Sequence, residues 1–270
     1  MYTSANATPV TVPELHAKKR RGEKIVSITA YDASIATRAD EAGVDFVLVG
    51  DSLGMVVQGH PSTLPVTMDQ MAYHTACVAR GLRRALLVAD LPFMSFRDVP
   101  TALANAARLF SECGAAMVKL EGGGWVCKVI EALVRHEMPV CAHLGLTPQS
   151  VHRLGGYRVQ GKTEAAAERL RADAHAVEAA GAALLVLECV PAALAESISR
   201  ELRIPTIGIG AGPGCDGQIL VVHDLLGITP GKRPRFTRDF LAGTHSVVDA
   251  IGAYAAAVRS GEFPAPEHAF

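Results

Sequence analysis

The feature that most constrains the fold of this chain is a repeated alternation of short apolar runs and longer helix-like segments. Eight runs rich in Val, Ile and Leu begin at Ile25, Asp45, Ala85, Ala116, Pro139, Ala183, Ile204 and Gly217. Runs this apolar are typical of strands buried on both faces, as in parallel sheets. The segments between them are rich in Ala, Leu, Arg and Glu, and several end at a glycine, as helices often do.

Strands that alternate with helices predict βαβ units and a parallel sheet, and eight strands fit a closed (β/α)8 barrel. The rival architecture is an open, doubly wound sheet, which normally carries a glycine fingerprint after its first strand. Here the first run ends in Thr-Ala-Tyr-Asp at residues 29–32, without such a loop. We therefore predict an α/β fold of the TIM-barrel class.

One barrel domain is predicted over residues 1–270, because a typical (β/α)8 barrel has about 250 residues. No segment has the composition of a linker between two domains. Residues 15–25 are predicted to form an extra helix that covers the bottom of the barrel, and the segment 237–263 suits the last helix. We predict that residues 1–12 form a flexible arm.

Charge and composition exclude several classes of protein. Lys and Arg total 26 against 27 Asp and Glu, which argues against a nucleic-acid or acidic-membrane partner. The six cysteines include no C-x-x-C pair, which disfavours a zinc ribbon or a thioredoxin site. With no secretory signal pattern and no apolar stretch near the roughly 18 residues of a membrane span, we expect a cytoplasmic protein.

The predicted strands end in polar residues, and the carboxyl ends of barrel strands carry the active site. Lys119 and Glu121 point the same way because side chains alternate along a strand. The candidate rim residues are Asp51, Asp90, Lys119, Glu121, His143 and Glu188.

Four carboxylates on one rim would repel one another, and a divalent cation removes that repulsion. Oxygen ligands without cysteine favour Mg²⁺, which takes only one or two protein carboxylates. One carboxylate is then free to act as a base, and Lys119 suits a substrate carboxylate. Each acidic residue has the alternative of a helix cap or a solvated loop position. Position alone leaves open which carboxylate is a ligand and which is the base.

A series of motifs resembles one family, the ketopantoate hydroxymethyltransferases. The matching stretches are residues 49–60, 62–67, 89–93, 118–123, 143–149, 155–157, 159–161, 187–191 and 208–212. They occur in order between about residue 14 and residue 260, so the resemblance covers nearly the whole chain.

The resemblance implies a barrel of the phosphoenolpyruvate/pyruvate type. It implies transfer of a hydroxymethyl group from 5,10-methylene-tetrahydrofolate to 3-methyl-2-oxobutanoate through a Mg²⁺-stabilised enolate. The product would be 2-dehydropantoate, in pantothenate biosynthesis. The family also implies a homo-oligomer, a decamer of two pentameric rings.

Carried over residue by residue, the resemblance assigns roles to the rim. Asp51 and Asp90 are expected to hold Mg²⁺, and Glu121 is expected to join the metal site directly or through water. Ser52 and Lys119 are expected to bind the ketoacid, which Asp51 and Asp90 also line.

The general base of the family matches Glu188, and His143 matches a pocket residue whose role stays open. Two other functions are also open. One is another Mg²⁺-dependent 2-oxoacid enzyme of the same barrel type, a carbon–carbon lyase or a phosphonopyruvate mutase-like enzyme, which would not need folate. The other is a catalytically silent barrel, which would bind the ketoacid without exchanging its C3 proton.

Overall fold

The computed structural model of the chain describes residues 8–229, 231 and 233–270. Its strands are β1 Ile25–Thr29, β2 Phe46–Val49, β3 Leu86–Asp90, β4 Met117–Glu121, β5 Val140–Gly145, β6 Leu184–Glu188, β7 Thr206–Ile209 and β8 Gly217–Leu220. All eight lie within the predicted apolar runs. They pair in chain order, all parallel, and β8 pairs with β1, so the sheet closes into a barrel. The predicted TIM-barrel class is confirmed.

Helices connect the strands and surround the barrel. The longer ones are α1 Val12–Arg21, α2 Ala33–Glu41, α4 Met68–Gly81, α5 Val99–Cys113, α6 Val126–Arg135, α8 Glu164–Ala179, α9 Ala192–Glu201 and α11 Val247–Ser260. Single turns of helix are α3 Leu53–Val56, α7 Val151–Leu154 and α10 Val222–Leu225, and 3-10 turns lie at Pro148–Ser150 and Pro266–His268. No helix in the described part of the chain is long and apolar enough to cross a membrane.

The barrel interior is apolar at the amino ends of the strands and polar at their carboxyl ends. On β4, for example, Met117 belongs to the interior apolar cluster, and Lys119 and Glu121 follow it on the same face. The alternate residues Val118 and Leu120 pack in the layer between strands and helices. Because strand side chains alternate between faces, one strand supplies both the core and the site.

The predicted extra helix covers the amino ends of the strands. Leu15 of α1 is fully buried within the interior cluster. His16 Nε2 lies 2.9 Å from the carbonyl oxygen of Ala183, just before β6. Lys19 Nζ donates to the carbonyl oxygen of Ile204, just before β7, at 3.0 Å. Helix α1 therefore packs across the bottom of the barrel and is held there by hydrogen bonds, as predicted.

The prediction of a flexible arm over residues 1–12 is wrong at its carboxyl end. Residues 1–7 lie outside the described part of the chain. Val10 is buried, and its N–H donates to the carbonyl oxygen of Arg84 at 2.8 Å. The Thr11 hydroxyl caps α1 by accepting from the Glu14 N–H at 3.3 Å. Pairing with the loop before β3 and helix capping fix this end of the predicted arm.

Candidate active site

Polar side chains occupy the last inward-facing positions of neighbouring strands, at one end of the barrel. Asp90, Glu121 and Glu188 are the last residues of β3, β4 and β6. Strand register places Asp90 beside Lys119 and Glu121 beside His143. The parallel pairing therefore brings these sequence-predicted residues into one cavity, which they line together.

A buried ion pair lies at the β3–β4 side of this cavity. Asp90 Oδ1 accepts a hydrogen bond from Lys119 Nζ at 2.6 Å, and Asp90 Oδ2 accepts one from the Asp51 N–H at 3.0 Å. Asp51, Asp90 and Lys119 are 3%, 2% and 5% exposed. These three residues are therefore connected by hydrogen bonds in a buried environment, where interactions between charges are strong.

Gln149 links two of the carboxylates, a role that the sequence did not predict. Its side-chain Nε2 donates to Asp51 Oδ2 at 2.8 Å and to the Leu91 carbonyl oxygen at 3.0 Å. Its backbone N–H donates to Glu121 Oε2 at 2.9 Å. It belongs to the 3-10 turn Pro148–Ser150, and its place at the end of the motif 143–149 is the signal that could have found it.

His143 stands between two carboxylates from different strands. Its Nδ1 lies 3.5 Å from Glu121 Oε1, and its Nε2 lies 3.3 Å from Glu188 Oε2. The imidazole is almost fully buried, whereas the Glu188 side chain is 15% exposed. His143 thus connects the inner carboxylates with the more accessible Glu188.

The crowding of charges shifts several pKa values. Burial, then the negative charges of Asp90 and Glu121, raises the pKa of Asp51 well above its ordinary value. Burial also raises the pKa of Asp90, against the opposing effect of the Lys119 ammonium. For Lys119 the effect of burial is outweighed by the surrounding carboxylates, and its pKa rises. The site therefore holds more negative charge than its one buried lysine neutralises.

The pKa of His143 is set by the same balance. Burial and the nearby Lys119 ammonium act to lower it, but the contacts with Glu121 and Glu188 outweigh them and raise the pKa to about 9. At neutral pH the imidazole is therefore a cation between two carboxylates.

Ser52 lies beside the ion pair at the start of the loop after β2. Its Oγ is 2.8 Å from the hydroxyl of Tyr31, and both Ser52 and Met55 of the turn α3 line the cavity. The cavity has a volume of about 630 Å³. That is within the range of roughly 300–1,000 Å³ found for small-molecule sites.

The donor set fits a hard divalent cation. Glu121 Oε1 is buried and has no hydrogen-bond partner among the residues that the structure describes. Burial, then the charges of Asp90 and Glu121, raises the pKa of Asp51, and a bound cation would stabilise its charged form. Within residues 8–229, 231 and 233–270, no group of three or more His, Cys, Asp or Glu is arranged to hold a metal alone. Mg²⁺ fits this site because it takes one or two carboxylates and fills its other positions with water or substrate oxygens. Asp51, Asp90 and Glu121 as a ligand set stay a prediction.

Comparison with known proteins gives a consistent result. A family model described as ketopantoate hydroxymethyltransferase matches residues 9–266. A 3-methyl-2-oxobutanoate hydroxymethyltransferase from Burkholderia multivorans is 57% identical over 270 residues, covering 100% of this chain and 99% of that protein. One from Halorhodospira halophila is 59% identical over 266 residues, covering 98% of this chain and 96% of that protein.

Solved structures show the same barrel at much lower identity. A phosphoenolpyruvate phosphomutase from Streptomyces platensis subsp. rosaceus aligns with a TM-score of 0.61 and 15% identity. The alignment covers 80% of this chain and 82% of that one. At this identity the likeness concerns the fold alone, a closed (β/α)8 barrel, and the phosphoenolpyruvate/pyruvate type stays a prediction.

Proposed function

This chain belongs to the ketopantoate hydroxymethyltransferase family, and we propose that it adds a hydroxymethyl group to C3 of 3-methyl-2-oxobutanoate with Glu188 as the base. It is a one-carbon transferase of that family, whose reaction serves pantothenate biosynthesis. The proposed donor is 5,10-methylene-tetrahydrofolate. Ketoacid, donor and one water then give 2-dehydropantoate and tetrahydrofolate, so that atoms balance.

The observation that carries this proposal is the division of the rim into an inner and an outer part. The inner part is the buried set Asp51, Asp90 and Lys119. The outer part is Glu188, which lines the same cavity and contacts His143. A 2-oxoacid needs positive charge at its oxygens, which Lys119 and a cation held by the two aspartates would supply. It also needs a base at the carbon beside the oxo group, which is the place of Glu188.

Asp51 and Asp90 would hold Mg²⁺, and Glu121 would contribute directly or through water. When bound, the cation polarises the oxo group and stabilises the negative charge that develops on its oxygen. Lys119 and Ser52 bind the ketoacid carboxylate, and burial keeps the Lys119 ammonium from being solvated by water. These residues fix the substrate so that its C3 faces the outer carboxylate.

Glu188 removes the proton from C3. The electron pair of the broken C–H bond moves to form the enolate, and the enolate carbon then forms a bond to the one-carbon unit of the donor. Protonated His143, with its Nε2 3.3 Å from Glu188 Oε2, keeps this carboxylate oriented by charge attraction. Water breaks the two bonds between the one-carbon unit and the donor nitrogens, giving its oxygen to that carbon and its two protons to the nitrogens. The proton on Glu188 passes to this oxygen when the C–C bond forms, which makes the hydroxymethyl group.

The test is proton NMR of 3-methyl-2-oxobutanoate in D₂O with the protein and Mg²⁺, with and without the folate donor. We expect the C3 proton signal to disappear in a Mg²⁺-dependent way, and 2-dehydropantoate to form only with the donor. Exchange without transfer would favour another Mg²⁺-dependent 2-oxoacid enzyme of this barrel type. Absence of exchange would contradict the proposed role of the rim.

The proposal extends to the setting of the enzyme. We propose that it acts in the cytoplasm on small molecules alone, and as the homo-decamer that family membership implies. Light scattering coupled to size-exclusion chromatography measures the mass directly. A mass other than ten chains would contradict the decamer without affecting the proposed chemistry.

A further inference from the structure

A fifth carboxylate faces the catalytic cavity and has no part in the mechanism above. Asp224 lies on the helical turn α10, which follows β8. It is 6% exposed, and it lines the same cavity as Glu188. A buried carboxylate at a cavity wall is costly unless something donates hydrogen bonds to it.

The partners of Asp224 leave one of its oxygens open. Asp224 Oδ1 accepts from the Thr229 hydroxyl at 2.6 Å, and no hydrogen bond from the described residues reaches Oδ2. The Arg233 guanidinium is engaged elsewhere, with Asp239 Oδ2 at 3.2 Å and the Gly227 carbonyl oxygen at 2.9 Å. Burial raises the pKa of Asp224, against the opposing effects of the Thr229 hydroxyl and the nearby Arg233 charge.

The cavity wall around Asp224 is broad and mostly apolar, and Thr229, Arg233 and Arg235 also line it. The residues that form it from β7, β8 and the carboxyl-terminal segments are Ile209, Ile219, Val221, Phe236 and Phe270. The cavity volume of about 630 Å³ far exceeds what a five-carbon oxoacid fills. A flat, largely apolar group with a few hydrogen-bond donors at one edge fits this half of the cavity.

We infer that Asp224 binds the 2-amino-4-oxopyrimidine edge of the reduced pterin of the one-carbon donor. This edge presents a ring N–H and an exocyclic NH₂ side by side, and a carboxylate accepts such a pair with two parallel hydrogen bonds. Each carboxylate oxygen has two acceptor sites, so the Thr229 hydroxyl can keep its hydrogen bond. The inference rests on the proposed function, since it assigns a residue to its second substrate.

The first measurement compares the unaltered enzyme with Asp224→Asn. We expect the KM for 5,10-methylene-tetrahydrofolate and the Kd of tetrahydrofolate to rise roughly 10- to 100-fold, the loss typical of a charged hydrogen-bond acceptor. The rate of Mg²⁺-dependent C3 exchange without folate should not change. Asp239→Asn is the matched control, because this carboxylate belongs to the same region but does not line the cavity.

The second measurement needs no variant. Binding of tetrahydrofolate is compared with binding of an analogue that lacks the 2-amino group. The unaltered enzyme should bind the analogue at least about tenfold more weakly. In Asp224→Asn, if it folds, the two ligands should bind alike.

Two results would overturn the assignment of Asp224. They are equal binding of the two ligands by the unaltered enzyme, or an unchanged tetrahydrofolate Kd in a folded Asp224→Asn variant. Either result would leave the transferase reaction standing if turnover is normal. Conversely, tetrahydrofolate binding that depends on Asp224 without any C3 exchange would support the pterin site while contradicting the proposed base.

Discussion

The carboxylates of the rim have different surroundings at the scale of single residues. Asp90 is paired with Lys119 at 2.6 Å, and Asp51 accepts from the Gln149 amide at 2.8 Å. Glu188 is the more accessible one, and its close polar neighbour among the described residues is His143. Burial and pairing suit the first two carboxylates for holding a cation, and accessibility suits the last for moving a proton.

Replacement of Glu188 by Gln tests the base. The variant should fold and bind Mg²⁺ and ketoacid, because the amide keeps the shape of the side chain. Its C3 exchange rate should fall by about 10²- to 10⁴-fold, the usual contribution of a general base. The rate is read from the C3 proton signal in D₂O. An exchange rate equal to that of the unaltered enzyme would eliminate Glu188 as the base.

Replacement of Lys119 by Met tests the buried ion pair. Asp90 would lose the cation that stabilises its charged form in a buried site, so the free energy of unfolding at neutral pH should fall by about 3–5 kcal/mol. Urea unfolding measures this change. Arg108→Met serves as a control, since the Arg108 pairs are solvent-exposed and should matter little. Similar losses in both variants would contradict the argument from burial.

The raised pKa of His143 predicts a pH dependence of stability in the metal-free protein. The folded-state pKa of about 9 lies above the unfolded value of 6.5, so the imidazolium stabilises the fold fully below pH 6.5. This stabilisation is lost as the pH rises from 6.5 through 9. Over that window the unaltered protein should lose stability more steeply than His143→Gln, by at most about 1.4 kcal/mol per pH unit. The free energy of unfolding of both proteins is measured at several pH values. If it changed equally with pH in the two proteins between pH 6.5 and 9, the prediction would be contradicted.

At the scale of elements, strand ends and their backbone turns determine where the rim side chains lie. Gly145 ends β5 with φ +91, and a Cβ added there would lie 2.3 Å from the carbonyl oxygen of Glu188. Strands β5 and β6 are in register at these two residues. Glycine at this position is therefore required both by the left-handed backbone and by the close approach of the base-carrying strand.

Gly145→Ala should lower both stability and the C3 exchange rate, because the methyl group pushes against the backbone of Glu188. The matched variant is Gly22→Ala at the end of α1, where φ is +70 but nothing lies within 4 Å of the added Cβ. That change should cost only the strain of a left-handed alanine, about 1–2 kcal/mol, with activity retained. Thermal unfolding and the exchange assay separate the two cases. If both variants changed the C3 exchange rate equally, the close approach of Gly145 to the Glu188 backbone would be unimportant for activity.

At the scale of the whole molecule, we expect the binding of one cation to stabilise the entire barrel. Asp51 follows β2, and Asp90 and Glu121 end β3 and β4, and their negative charges are incompletely neutralised by the residues around them. A ligand that binds only the folded state adds to the free energy of unfolding by mass action.

Mg²⁺ at about 100 times its Kd should add roughly 2.7 kcal/mol, which corresponds to a rise in Tm of about 5–10 °C. The chelator EDTA should reverse it, and Asp51→Asn should show little response to the metal. Differential scanning fluorimetry with and without Mg²⁺ makes the comparison. The same rise in Tm for Asp51→Asn would place the cation elsewhere.

The strands, their parallel pairing and the shared rim of carboxylates could be predicted from the sequence alone. The eight apolar runs predicted the strands and their parallel pairing, because burial on both faces is a local property that composition records. Polar residues at the ends of those runs predicted that Asp51, Asp90, Glu121 and Glu188 share one rim, because parallel strands all end on the same side. The family motifs added the candidate chemistry.

Other features were decided only by the tertiary structure. Barrel register and loop backbone set His143 between Glu121 and Glu188, and carry Gln149 to Asp51. The turn α10 aims Asp224 into the cavity in the same way. These contacts join residues far apart in the chain, and their distances depend on strand stagger and on backbone turns that composition and periodicity do not encode. Side-chain alternation is local, whereas contact across a closed barrel is a property of the whole fold.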